Sequence, residues 1–149
     1  MVFVAVDDHS RVAYAELAAD ETVASAITFL QTAVRYYAGL GISIRRIMTD
    51  NGPACVSRQF AQALSNLGLR YVRTRPYTPR TNGKAERFIQ SALREWAYAF
   101  ISRHSRERAD MLHHWLHHYN WHRPHSALKD SPPVTRLNFT SDDLLTTHI

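Results

Sequence analysis

Apolar and polar positions divide the chain into short alternating segments. Residues 2–6, VFVAV, form an unbroken apolar run closed by Asp7, Asp8, His9 and Ser10. Residues 11–17 alternate apolar and polar positions, so the two segments predict a hairpin across a polar turn. Asp20 can cap a helix reaching to about Tyr37. Ala24, Ile27, Leu30, Val34 and Tyr37 mark its expected buried face at steps of three and four. Gly39 and Gly41 end it, and residues 42–48 predict a strand that stops at Thr49-Asp50-Asn51-Gly52-Pro53. Ser57 can cap a second helix with the stripe Phe60, Leu64 and Leu67, and Gly68 stands where a left-handed terminal residue belongs. Residues 69–73 predict a strand, and residues 75–82, with Pro76, Pro79 and Asn82 before Gly83, a loop. From Lys84 a helix runs to about Phe100, with Phe88, Ala92 or Leu93, and Trp96 inward. Another covers about residues 106–120, with Met111, Trp115 and Tyr119 on its inner face. The remainder, holding Pro124, Pro132 and Pro133, reads as an extended tail with one short helical turn. This order predicts an α/β fold, a mixed sheet covered by helices.

Composition adds charge to this picture. The 149 residues carry 18 Lys plus Arg against 13 Asp plus Glu, a formal net charge of +5. Residues 70–108 hold ten basic side chains and three acidic ones, so this segment is more positive than the whole chain. Nearly all the basic residues are Arg, whose planar fork matches phosphate oxygens in pairs. Such a surface suits a polyanion. No apolar run approaches the length of a membrane span, so no membrane partner is expected. The single cysteine, Cys55, excludes a disulfide framework and fits a reducing compartment. It reads as a small buried residue.

Two carboxylates stand out by position. Asp50 follows a buried strand, and ligands of open α/β sheets collect beyond the carboxyl ends of strands. Glu86 opens a helix after a Pro-bounded loop. Two acids amid arginines suit Mg²⁺ shared between protein and phosphate. Taken singly, each has a plain structural alternative: a turn residue bonding its own backbone for Asp50, a first-turn helix acid for Glu86.

Between Asp50 and Glu86 lie 86 − 50 − 1 = 35 residues. This spacing resembles half of the catalytic signature of retroviral integrases and the related insertion-sequence (DDE) transposases. Thr49-Asp50-Asn51-Gly52 is similar to the segment around that family's second acid. The run PYTPRTNGKAE ending at Glu86 is similar to the loop before its third. VAVDDHSR, from Val4, resembles its second strand, and YNWHRPHSAL, from Tyr119, resembles the tail of the bacterial transposases. The resemblance implies a ribonuclease H-like mixed sheet flanked by helices and metal-dependent cleavage and strand transfer of DNA at element ends. It implies Asp50 and Glu86 as catalytic metal ligands for Mg²⁺ or Mn²⁺, and Arg75, Arg80, Asn82, Lys84 and Arg87 along the DNA phosphates. DNA as partner, a homo-oligomer and the bacterial cytoplasm belong to the same expectation. Residues 1–137 are expected to form the core with its transposase tail, and residues 138–149 a C-terminal extension.

The chain departs from that pattern at its start. The first acid of the family lies on a strand ahead of VFVAV, so this chain is expected to lack the first, central strand and its Asp, leaving a gap in the sheet. Asp7 and Asp8 match the end of the following strand and are not assigned that role. Whether the chain is an enzyme is left open by this, and the alternative is a catalytically inactive nucleic-acid-binding remnant or partner subunit. Elsewhere, His113 with His117 and His114 with His118 have helical spacing that can hold zinc. The plainer reading makes them polar flanks of Trp115, Leu116 and Tyr119. Trp96, Trp115 and Trp121 read as core or interface anchors, and residues 123–125, Arg-Pro-His, as a segment docking over the core.

Overall fold

A computed structural model of the chain describes residues 1–73, 83–97, 104–137 and, for the backbone, 144–148. Its elements are β1 (Val2–Asp7), β2 (Ala13–Leu17), α1 (Val23–Gly39), β3 (Ser43–Thr49), α2 (Arg58–Asn66), β4 (Arg70–Arg73), α3 (Gly83–Ala92), α4 (Ser105–Trp121) and β5 (Leu144–His148). Between α3 and α4 the helix widens into a π turn at Leu93–Ala97. The predicted order holds to within a few residues at each boundary. The helix foreseen to Phe100 is α3 plus this π turn as far as the described residues go.

The sheet is mixed, with strand order β2-β1-β5-β3-β4. β1 and β2 pair antiparallel from Val2 opposite Leu17 to Val6 opposite Ala13. β3 and β4 run parallel. The expected gap between the hairpin and β3 is occupied by β5, a strand the sequence reading left inside an extended tail. β5 runs antiparallel to β1 and parallel to β3. The described ladder with β1 covers only Val6 and Asp7, and the ladder with β3 breaks register between Ile44 and Ile47.

Period-two alternation sends the hairpin's side chains to two cores. Ala5, Val12 and Tyr14 meet Phe29, Ala33 and Tyr37 of α1 on one face. Val6, Ala13 and Ala15 meet Phe88 of α3 and Leu112, Trp115 and Tyr119 of α4 on the other. A third cluster joins Ala26 and Leu30 of α1 to Ile47, Phe60 and Leu64. The molecule is thus a sheet between two helical layers. Tyr37 pins α1 to the hairpin by donating its hydroxyl to the carbonyls of Ala5 at 3.1 Å and Val12 at 3.0 Å.

Three details differ from the sequence reading. The N-cap of α1 is Thr22, with Asp20 accepting from the Thr22 and Ser25 hydroxyls around it. The buried stripe of α1 is Ala26, Phe29, Leu30, Ala33 and Tyr37, while Ala24 is exposed and Ile27 and Val34 are half-buried. Ser57 does cap α2, accepting from the Phe60 N–H at 3.1 Å. Gly68 has φ +69°, the left-handed value expected of it. Leu67, by contrast, caps α2 and is exposed.

Candidate active site and nucleic-acid surface

Asp50 is exposed at the end of β3. Its Oδ1 accepts from the Gly52 N–H at 3.1 Å, which closes the turn. A Cβ at residue 52 would stand 3.0 Å from that oxygen, so glycine lets the carboxylate fold back. The loop behind it is braced from below. Thr49, buried, exchanges a hydrogen bond with the Tyr71 hydroxyl at 2.9 Å, and that hydroxyl also bonds the Cys55 carbonyl. The Cys55 thiol is pushed up first by burial and then by the Asp50 charge. It is half-buried and free of any disulfide.

Glu86 is exposed in the first turn of α3. Ala85 and Phe88, on the opposite face of that turn, are buried and anchor it to the core. Asp50, Gly52 and Pro53 from one side and Ala85, Phe88 and Ile89 from the other line one apolar cavity of about 330 Å³. The two acid-bearing elements therefore face each other across a common space, although Glu86 itself is not part of the wall. Among the described residues no group of three or more His, Cys, Asp or Glu is placed to hold a metal. This applies to Asp50 and Glu86 and equally to the histidines of α4, whose i,i+4 pairs meet no third ligand.

Of the basic residues singled out by sequence, Arg87 is exposed on α3 and Lys84 bonds the Asp8 carboxylate and, at 3.0 Å, its carbonyl. Arg75, Arg80 and Asn82 lie outside the described residues. Trp96 and Trp115 are core residues, whereas Trp121 is 40% exposed. Within the π turn Trp96 is buried, and Glu95 accepts from the Trp115 indole N–H and the fork of Arg123. Burial, the largest single effect, would raise the Glu95 carboxyl, but the bonds and charge of Arg123 together with the Trp115 N–H and His118 hold it below its usual range.

Asp7 is fully buried, yet its surroundings are those of a turn brace. Oδ2 accepts from the Ser10 N–H at 2.8 Å and the Ser10 hydroxyl at 2.6 Å, while Oδ1 has no partner among the described residues. Burial raises its pKa above 3.8, against the pull of the Ser10 bonds. The folded chain therefore binds this proton more tightly than the unfolded chain. Its stabilising contribution is full below pH 3.8 and is lost as pH rises through the raised folded value. Asp7→Asn keeps an acceptor for Ser10 and removes the buried charge. At pH 7 it should stabilise the fold by about 1 kcal/mol, and the gain should vanish as pH falls below 4. Urea unfolding of both proteins across this range checks it; a difference independent of pH would contradict it.

Asn120 is a residue that sequence reasoning passed over. Buried on α4, its Oδ1 accepts from the Ala13 N–H at 2.8 Å and its Nδ2 donates to the Ala13 carbonyl at 2.8 Å. The side-chain amide thus acts as a one-residue strand on the outer edge of β2. Its place within the YNWHRPH run was the available signal.

An integrase core domain family model matches residues 1–79, and a second integrase core domain model matches residues 67–133. A protein of insertion element IS476 from Xanthomonas euvesicatoria is 30% identical over 94 residues, 60% of this chain and 26% of its own length. An insertion element IS136 protein from Agrobacterium fabrum is 32% identical over 89 residues, 58% of this chain and 44% of its own. The chain thus spans less than half the length of these relatives. Two solved structures share the fold. The catalytic core of BIV integrase superposes with a TM-score of 0.69 at 19% identity, covering 90% of this chain and 82% of that one. The HTLV-2 integrase catalytic core, solved in complex with magnesium, gives 0.70 at 17% identity, covering 92% and 84%. Among the described residues of the present chain no helix is long and apolar enough to cross a membrane.

Proposed function

The chain belongs to the integrase core domain family, and from that premise we propose that it works on DNA as a core for phosphodiester cleavage and strand transfer at the ends of a mobile element. The observation that carries this reading is the placement of Asp50 at the end of β3 and Glu86 at the start of α3, on elements lining one cavity. Mg²⁺ and Mn²⁺ favour hard oxygen ligands and keep several waters. Two exposed carboxylates, one with an oxygen engaged by Gly52, fit one such ion. Asp50 and Glu86 would hold it. When bound, it would supply an activated water or hydroxyl and stabilise the leaving oxygen of an in-line displacement. One phosphodiester is exchanged for another, so no nucleotide cofactor is needed. Lys84 and Arg87 flank Glu86 on α3, and with Arg75, Arg80 and Asn82 they track the phosphates in this reading. A homo-oligomer in the bacterial cytoplasm belongs to it as well.

A second reading, an inactive DNA-binding partner, is favoured by the acid count. The central slot of the sheet is the place the resemblance gives to the strand with the first acid. Here it is filled by β5, whose sequence from Leu144 to His148 contains no acid. Asp7 braces a turn and does not replace it. On this second reading the described residues supply two of the three acids, so they bind DNA and one metal ion without supporting efficient joining, since the two-metal arrangement needs more ligands than two carboxylates provide.

Both readings require binding to DNA through phosphate. Duplex affinity should fall steeply with salt and depend little on sequence. Replacing Arg75, Arg80 and Lys84 together with Ala should flatten the slope of log affinity against log salt by up to about three units, nearly one per phosphate contact. Fluorescence anisotropy over a salt series measures this. An unchanged slope would move the DNA surface elsewhere.

A further inference from the structure

A second cleft, of about 410 Å³, opens on the side of α3 away from Asp50, between α3, the β1–β2 turn and the segment after α4. Its cationic wall is Arg11, Lys84, Arg87 and Arg123, with His125 beside them and no acidic residue lining it among those described. Two of these cations have carboxylate partners at the rim. Asp8 pairs with Lys84, and Glu95 with Arg123 at 2.6 Å. Among the described residues neither Arg11 nor Arg87 is in an ion pair, so the cleft keeps a surplus of two positive charges. Among the described residues the buried Arg11 Nε has no hydrogen-bond partner. A buried guanidinium N–H left unpaired is an expensive arrangement. Arg11 also sits at φ +69°, a left-handed conformation unfavourable for any residue but glycine. Its backbone is held there by its N–H bond to the Asp7 carbonyl at 2.9 Å. A turn needing only that backbone would be served better by glycine, so the side chain is the reason for arginine.

We propose that this cleft is a phosphate-binding site, with Arg11 and Arg87 as direct ligands and Lys84 and Arg123 as cations shared with their carboxylate partners. The phosphate comes either from a DNA backbone or from a free anion. The first source rests on the DNA reading above; the site itself does not. His125 reports on it. Its ring packs edge-on against Tyr119 at 4.6 Å. Burial lowers its pKa first, and Arg123 and Arg11 lower it further, against the opposing effects of its bond to the Tyr119 carbonyl and of Glu95. An anion between the arginines would offset their field and raise that pKa.

The test is an NMR titration of the His125 ring in the whole chain at constant ionic strength. The arms are inorganic phosphate, a short duplex DNA, and chloride alone. The expected result is a His125 pKa rise of roughly one unit with duplex or phosphate and none with chloride. Arg11→Gly, which relaxes the turn, should keep the thermal midpoint, abolish the His125 response and weaken binding of whichever source moved it about tenfold. Arg87→Gln should do the same from the exposed helix surface, and Arg58→Gln on α2 should change nothing. A His125 that responds to phosphate alone supports the site and counts against the DNA reading. Duplex binding with His125 unmoved and both variants binding as wild type overturns this proposal and removes Arg87 from the DNA reading, which would then rest on its other basic residues. A His125 unmoved in every arm, or an Arg11→Gly chain that loses stability while binding normally, overturns it too.

Discussion

Asn120→Ala is expected to destabilise the fold by about 3 kcal/mol, a large share of the roughly 5–15 kcal/mol that holds a domain together. Asn120 satisfies both the N–H and the carbonyl of Ala13, a residue with no exposed surface, and it also donates to the Tyr36 hydroxyl at 3.2 Å. Alanine would leave two backbone groups buried without partners, each costing about 1–3 kcal/mol. Because β2 is an edge strand, the loss also uncovers a pairing edge. A chain of this length should melt roughly 6–12 °C lower. Asn120→Asp fills the same volume but cannot donate to the Ala13 carbonyl, so it should lose a similar amount. Calorimetry on the three proteins decides it. If Asn120→Asp were as stable as the wild type, Asn120 would only fill space.

The same residue shows what sequence pattern carries and what it does not. The hairpin, α2 and the strand before Asp50 were legible because each has a local signature: a polar turn between apolar runs, a Ser cap, a terminal glycine. Asn120 lies mid-helix, and its partner, Ala13, is remote in sequence, so no local rule points to the bond. The face of α1 was misjudged for a related reason. Ala24, Ile27 and Val34 form as good an apolar stripe as Ala26, Phe29 and Ala33, and only the two clusters it packs against choose between them. β5 was missed because Leu-Leu-Thr-Thr-His is short and half polar; its strand character comes from the neighbours β1 and β3 rather than from itself. The π turn hides in a helical periodicity that runs on through Leu93–Ala97.

The candidate acids were legible in another way. Asp50 sits at a strand end and Glu86 at a helix start, as their flanking turns predict, and the 35-residue spacing carried the family resemblance. What spacing cannot convey is convergence. The fold places both acid-bearing elements on one cavity, yet Glu86 is outside its wall. The cationic cleft was invisible for the same reason. Arg11, Arg123 and the α3 pair Lys84 and Arg87 come from three separate segments, and the sequence reading assigned only Lys84 and Arg87 to DNA. Arg123 stood as part of a docking segment, and its bonds to Glu95 fit that role as well.

The central claim is that Asp50 and Glu86 together hold one divalent ion. A Mn²⁺ titration of the 149-residue chain, followed by electron paramagnetic resonance, measures it most directly. Asp50→Asn and Glu86→Gln serve as the comparison proteins. Asp50→Asn keeps an oxygen to accept from the Gly52 N–H, so its loop remains closed. Glu86→Gln changes an exposed first-turn residue and leaves the buried face of α3 untouched. Removing an outer-shell partner of a metal site already costs 10–100-fold in affinity as a rough guide, and losing a direct carboxylate should cost at least about tenfold. The account predicts one Mn²⁺ per chain and a loss of that size in each variant separately. Wild-type affinity in either variant would show that the two carboxylates do not share an ion and would contradict the account.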